Sequence, residues 1–213
     1  MFDTIVGRYD AINDVLSLGM DRRWRSATAR AVHARRGDLV LDLGTGTGKL
    51  ASRLPRGVRA VGLDVSEAML RRARRRRPDL RIVHGSAFRL PFRGGSFDAA
   101  VSAFVLRNLD DLGTAFAELA RVVRPGGRIA LVDIKQPSGR ARRMLFNGYL
   151  GAAAPLLGRL TGRADAYRYL VRSVTTLPPA EEVCAMLSSA GFGSCRSGRL
   201  APGVVTLWTA TRR

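Results

Sequence analysis

The sequence predicts an α/β domain built on a seven-stranded sheet. Three observations predict it: five short β-rich runs separated by helical stretches, a glycine-rich turn ending the first run, and two strand-like runs near residue 213. The five runs are LVLDL from Leu39, VRAVGLD from Val58, LRIVHG from Leu80, FDAAVSAF from Phe97 and GRIALVDI from Gly127. Strands that alternate with helices run parallel, because each crossover returns the chain to the same end of the sheet. A chain of 213 residues can bury roughly 70% of the surface its unfolded form exposes, so it needs neither disulfide nor metal to hold a core.

The elements follow in order. Phe2, Ile5, Val6, Tyr9, Ile12 and Leu16 recur at helical spacing and mark an amphipathic helix ending near Gly19. Asp21 is the expected N-cap of a second helix running to about Arg36, closed by Gly37. Further helices are expected over Thr47 to Arg53, Ser66 to Arg77 and Asp110 to Val123. Arg124-Pro125-Gly126-Gly127 stops the last of these, proline by its missing N–H and glycine by its permitted positive φ. Beyond Pro137 come helical segments over Arg140 to Ala154, Ala164 to Thr175 and Pro179 to Ala190, then strands over Ser194 to Arg196 and Val204 to Thr211.

Composition narrows the function. The segment MFDTIVGRYD lacks the basic and apolar regions of a signal peptide, and the apolar stretch from Tyr149 to Leu157 is too short to span a bilayer. A cytoplasmic chain, with contact at the inner face of the membrane, is expected. Cys184 and Cys195 form no CxxC pair, and His33 and His84 have no second ligand at metal spacing. Two buried thiols and no metal site are therefore expected. The net charge is +19, with 36 basic residues against 17 acidic ones and lysine only at Lys49 and Lys135. Attraction to an anionic surface is one reading of that charge, and arginine-rich solvated faces the other. Arg71 to Arg77 holds six arginines, which a helix would spread around its axis. No pattern of a nucleic-acid reader is present, so no nucleic-acid partner is expected.

Ligands of open α/β sheets sit outside the carboxyl ends of the strands, so the residues ending strands carry the chemistry. The first strand ends in Asp42-Leu43-Gly44-Thr45-Gly46-Thr47-Gly48. Lys49 stands where a dinucleotide fingerprint needs its third glycine, and Leu43 where a P-loop needs its first, so both phosphate readings fail. An acid before GxGxG suits a ligand ending in an amino acid and a thioether, with Asp42 serving the ammonium. Asp64, 22 residues on, ends the second strand and can accept both hydroxyls of a ribose. Gly85-Ser86-Ala87 ends the third, where an adenine edge should fall, and Met69 either covers the adenine or belongs to the core.

Larger motifs surround this constellation. They are Tyr9-Asp10, Asn13, Ser17, Gly19 and Trp24-Arg25, then Asp64-x-Ser66-x-x-Met69-Leu70, Leu90-Pro91-Phe92 and Ser96-Phe97-Asp98. Leu106-Arg107-Asn108, Arg124-Pro125-Gly126-Gly127, Tyr167-x-Tyr169-Leu170-x-x-Ser173 and Ala190-Gly191-Phe192 continue the series. In these motifs the chain closely resembles the UbiE/MenG family, the C-methyltransferases that complete ubiquinone and menaquinone rings. The resemblance implies a Rossmann-like, class I S-adenosylmethionine-dependent methyltransferase fold and S-adenosyl-L-methionine as cofactor. It implies cofactor contacts at Thr47, Asp64, Ser86, Ala87 and Ala103, beside Asp42, Gly44, Gly46, Gly48 and Met69. The sequence departs from the family at Lys49, Ser86 and Ala103, where Asp, Asn or Asp, and Ser are usual. These departures leave room for another acceptor.

On this reading the single domain comprises a helical cap over 1–36, a cofactor-binding core over 37–137, a lid or substrate insertion over 138–177, and a terminal helix and hairpin over 178–213. The expected reaction is C-methylation of a prenylated quinol ring, demethylmenaquinol to menaquinol, on a chain that is monomeric or a homodimer. Ionising a tyrosine-like phenol at pH 7 costs on the order of 4 kcal/mol, and a cation in a dry pocket offsets much of it. Arg107 is the candidate cation. Asn108 and Asn13 are candidates for the other ring oxygen, and Asp10 and Tyr167 for the substrate pocket. The proton acceptor stays open among His84, Asp10, Asp133 and a water held by Tyr9. A divergent small-molecule methyltransferase and a non-catalytic cofactor-binding scaffold at the membrane are the other readings.

Overall fold

The computed structural model describes residues 10, 14, 17–135, 139–140, 144, 146, 148–149, 151 and 176–213. Seven strands, β1 (Leu39–Leu43), β2 (Arg59–Asp64), β3 (Arg81–His84), β4 (Phe97–Ala103), β5 (Val123–Ile134), β6 (Phe192–Leu200) and β7 (Val205–Arg212), form one sheet. Its order is β3-β2-β1-β4-β5-β7-β6. The first five strands are parallel, and β7 enters antiparallel between β5 and β6. Among the described residues, helices whose full extent is seen are α1 (Asp21–Ala31), α2 (Glu67–Arg76), α3 (Leu112–Val122) and α4 (Ala180–Ser189).

Two apolar layers cover the sheet. In α3, Leu112, Ala115, Phe116, Leu119 and Ala120 are buried at i, i+3 and i+4 spacing and pack with Leu41, Leu43 and Trp208. On the other layer Val40, Ala99, Val101 and Ala103 pack with Trp24 and Ala29 of α1. The alternation of Val40 with Leu41 follows from the two-residue period of a strand. Side-chain oxygens cap two helices: Ser66 accepts from the Met69 N–H at α2, and Asp111 from the Thr114 N–H at α3.

Several expectations are corrected. Thr47 to Arg53 is not an α-helix but turns followed by one 3-10 turn, Ala51–Arg53, because Gly46 and Gly48 take φ of +54° and +77°. Asp21 does not cap α1. Met20 occupies that position without a side-chain bond, and Asp21 pairs with Arg25 one turn on. α1 ends at Ala31, short of Arg36, and His33 has a positive φ of 49°. β5 starts at Val123, ahead of the proline and glycines, with an irregular register that lets Phe97 face Val123 and Ala99 face Arg128. The expected pair of thiols is a Cys184–Cys195 disulfide with Cα atoms 5.6 Å apart. α4 packs on β6, and the β6 register slips between Gly193 and Arg196, so the two residues meet although no CxxC spacing announces them. The first expected helix has only Asp10 and Asp14 within the described residues, both helical, and the segments over 140–154 and 164–175 lie largely or wholly outside them.

Candidate functional site

The strand order reverses between β1 and β4, and the crevice outside their carboxyl ends is where such a sheet binds its ligand. Asp42 stands there, buried. Its Oδ2 accepts from Thr45 Oγ1 at 2.7 Å and from the Ala51 N–H at 3.1 Å, while Oδ1 has no partner among the described residues. Burial pushes the Asp42 pKa up to about 6, against the Thr45 hydrogen bond and the Arg25 charge, which act downward. On β2, Asp64 accepts from the Gly46 N–H at 2.8 Å and the Ser66 N–H at 2.9 Å. These bonds fix the glycine-rich loop against both strand ends. Gly44 is required sterically, since a Cβ would come within 2.3 Å of Val105, whereas a Cβ on Gly46 would meet nothing within 4 Å. The loop thus has room for a ligand at Gly46 and none at Gly44.

Thr47 is tied to the N-terminal segment. Its hydroxyl donates to Asp10 Oδ1 at 2.8 Å, and Arg76 donates to Thr47 Oγ1 at 2.8 Å and to Asp10 Oδ2 at 2.6 Å. Lys49 donates to Asp14 at 2.8 Å and to the Asp10 carbonyl at 3.2 Å, with the Asp21 carboxylate 3.7 Å away. Burial acts to raise the Asp10 pKa, but bonds from Arg76 and Thr47 and the Lys49 charge hold it below the usual carboxylate range. Both Asp10 oxygens are thus committed to a clasp, which removes it from proton acceptance. Lys49, a departure from the family pattern, is the cation joining Asp10 and Asp14 to the loop.

Arg76 is a residue the sequence reading missed, taking the run as a whole for a solvated face or an anion-attracting one. Arg71, paired with exposed Glu67, and the exposed Arg74 and Arg75 fit that description. The signal was available: Arg76 and Arg77 fall one or two turns from buried Met69, Leu70 and Ala73, on the same helical face. Arg77 accordingly reaches the Ala51 carbonyl.

Beside Asp64, Met69 is buried on α2 and Ala87 is buried after β3. The Ser86 hydroxyl accepts from the Phe88 N–H at 3.2 Å. His84 is exposed at the end of the edge strand, its Nε2 2.9 Å from the Val65 carbonyl. Three strand spacings separate β3 from β4, about 14 Å, so His84 does not adjoin Arg107.

Beyond Ala103, which ends β4 and is buried, the chain turns at Phe104 with φ of +66° into a short 3-10 turn, Leu106–Asn108. Arg107 Nη1 donates to Asp133 Oδ1 at 2.5 Å, and the Arg107 N–H to Oδ2 at 3.1 Å. Asp133 is 0% exposed, so this is a buried ion pair. Asn108 Nδ2 donates to the Phe104 carbonyl at 3.3 Å. The structure thus brings Asp42, Gly44, Gly46, Thr47, Gly48, Asp64 and Met69 to one side and Arg107, Asn108 and Asp133 to the other. Tyr9, Asn13 and Tyr167 lie outside the described residues. Among the described residues no three His, Cys, Asp or Glu side chains are grouped to hold a metal.

A buried carboxylate with one unengaged oxygen, a loop open at Gly46 and a second carboxylate at β2 fit a ligand with a cationic amino-acid end and a ribose. Residues 1–212 match the ubiE/COQ5 methyltransferase family. The chain is 42% identical over 214 residues to a demethylmenaquinone methyltransferase of Beutenbergia cavernae, covering 100% of this chain and 89% of the relative. Among solved structures it is similar to the methyltransferase bound to the Trm112 activator of Haloferax volcanii, with a TM-score of 0.72, 19% identity and coverage of 100% and 97%. An S-adenosylmethionine-dependent methyltransferase of Thermotoga maritima gives a TM-score of 0.69 at 19% identity, with coverage of 100% and 98%. At such identities the two structures speak for the fold alone.

Proposed function

The chain belongs to the ubiE/COQ5 methyltransferase family, and from that premise we propose that it methylates a ring carbon of demethylmenaquinol. The observation that carries this reading is the full-length similarity to demethylmenaquinone methyltransferases, at 37–42% identity in the first three. The chain is an S-adenosylmethionine-dependent methyltransferase.

When bound, S-adenosylmethionine supplies an electrophilic methyl group on a sulfonium. Asp42 would hold its ammonium and Asp64 its ribose hydroxyls, with the Ser86-Ala87 turn at the adenine edge and Thr47 and Ala103 lining the crevice. Arg107 lowers the cost of ionising the quinol hydroxyl ortho to the reacting carbon, and the phenolate pushes electron density onto that carbon. That ring carbon would take the methyl group as the sulfonium leaves as a thioether, and would then give up its proton. A guanidinium has five N–H donors, so a bond to Asp133 is compatible with holding a second anion. Asp133, the described carboxylate adjoining Arg107, has Oδ1 engaged by Arg107 Nη1 and the Ile134 N–H and Oδ2 by the Arg107 N–H, so we assign it the positioning of Arg107 and leave proton acceptance to water.

The prenyl tail of such an acceptor resides in the bilayer, while no helix among the described residues is long and apolar enough to cross one. Peripheral contact through the basic surface follows, at the inner face of the membrane. Flotation with anionic but not neutral liposomes, fading with added salt, is the expected result, and equal flotation with both would refute it.

The central test incubates the purified protein with methyl-labelled S-adenosylmethionine and reduced short-chain demethylmenaquinone. Label in the ring methyl of menaquinone is expected. No labelled quinone alongside turnover of another acceptor would overturn the substrate assignment.

A further inference from the structure

Arg25 is a charged residue for which the reaction as derived has no use. It lies on α1 and is only 8% exposed. Its Nε donates to both Asp21 oxygens at 2.9 Å. Among the described residues neither Nη nitrogen has an acceptor, so four N–H donors of a nine-tenths buried guanidinium are left over.

Its place is set from two sides. The Trp24 indole donates to the Ala201 carbonyl at 2.8 Å and meets Phe104 edge-on with ring centroids 6.1 Å apart. The Arg25 guanidinium carbon stands 4.9 Å from the centroid of the same Phe104 ring. Phe104 follows directly on β4, whose Val101 and Ser102 pair with Asp42 and Leu43 of β1. Arg25 therefore overlooks the crevice in which Asp42 Oδ1 is unengaged, and its charge is felt at Asp42.

Deepening the cofactor reading and resting on it, we propose that Arg25 binds the α-carboxylate of the methionine end of S-adenosylmethionine, with Asp42 binding its ammonium. A cation with spare donors and an anion with a spare oxygen, facing one crevice, form the complement of an amino-acid zwitterion. The planar fork of a guanidinium matches a carboxylate in bidentate fashion. Asp21 holds the Nε edge and Phe104 the face, so the guanidinium is oriented before the ligand arrives.

The test is calorimetric binding at pH 8, without acceptor, of S-adenosylmethionine and of its decarboxylated form, which keeps the ammonium and lacks the carboxylate. The proteins are wild type, Arg25→Gln and Arg25→Lys, each checked for folding by thermal melting. Wild type should prefer the intact cofactor by about 10- to 100-fold, the range for charge-assisted hydrogen bonds. Arg25→Gln should lose that preference by weakening only the intact cofactor, and Arg25→Lys should keep part of it. Equal weakening of both ligands would mean that Arg25 acts through Asp42 or the fold. Weakening of neither, with a raised KM for quinol, would place the acceptor there. Either result overturns the proposal while leaving methyl transfer standing, whereas a wild type that binds neither ligand would sink the cofactor reading as well.

Discussion

Asp42→Asn should stabilise the ligand-free protein and weaken its hold on the cofactor, two opposite effects of one burial. The Asp42 carboxyl ionises near 6 in the folded protein and near its ordinary 3.8 when unfolded. At 1.36 kcal/mol per tenfold change, that difference corresponds to about 3 kcal/mol. Between pH 4 and 6 the folded state binds more protons at this group than the unfolded state does. Stability therefore falls as pH rises through that window, and the penalty is complete above 6. The asparagine variant carries no such charge, so it should exceed wild type by up to about 3 kcal/mol at pH 7.5 and by little at pH 4. Cofactor binding runs the other way, because an ammonium pairs with the ionised form. Wild-type affinity should fall up to tenfold per pH unit below about 6, and the variant's weaker affinity should stay flat. Urea unfolding and calorimetry from pH 4.5 to 8 measure both. If the stability difference is the same at pH 4.5 and 7.5, burial does not govern this carboxyl. An unchanged affinity in the variant would remove Asp42 from the ammonium.

Two further changes separate packing from chemistry. Arg107→Ala leaves the Asp133 carboxylate buried without its cation, so a loss of about 3–5 kcal/mol in unfolding free energy is expected. Turnover measured below the melting range should drop about two to three powers of ten with little change in cofactor KM, and a variant as stable and as active as wild type would dismiss both roles. Arg76→Ala frees Asp10 from its bond to α2 and takes one donor from Thr47, so cofactor affinity should weaken by about 1 kcal/mol or more, with the weakening most evident at low salt. Identical affinity at 20 mM and 500 mM salt, in both proteins, would show that the clasp does not bear on the loop.

The strands were legible because their signal is local. LVLDL, RAVGLD and GRIALVDI each combine β-branched or apolar runs with a turn, and each lies within the sheet as read. The end of β1 was legible for the same reason: an acid followed by glycines at fixed spacing is a property of seven consecutive residues. What escaped depends on residues far apart. Arg25 and Asp42 share a crevice only because β1 and β4 are neighbours, and Lys49 finds Asp14 across 35 positions. The helix expected after Thr47 failed for a local reason misjudged, since Gly46 and Gly48 at positive φ break the turn that the flanking residues favour. Arg107 was singled out by its place after the fourth strand, but its partner Asp133 lies on the next strand, and no spacing rule could have distinguished a buried pair from an exposed one.

The bond from the Trp24 indole to the Ala201 carbonyl spans 177 positions and sets a schedule for synthesis. A ribosome adding about 5–20 residues per second makes Ala201 about 9 to 35 s after Trp24. Once residue 103 has been made, β1, β2 and β4 are available to pair, yet until Ala201 follows the helix bearing Arg25 lacks one of its moorings. The strand-end acids can thus be assembled early, while the wall opposite them is fastened only after residue 201 has been made. An emerging chain halted before residue 201 would hold most of the sheet and an unfinished crevice, with a strongly basic helix still to be gathered in.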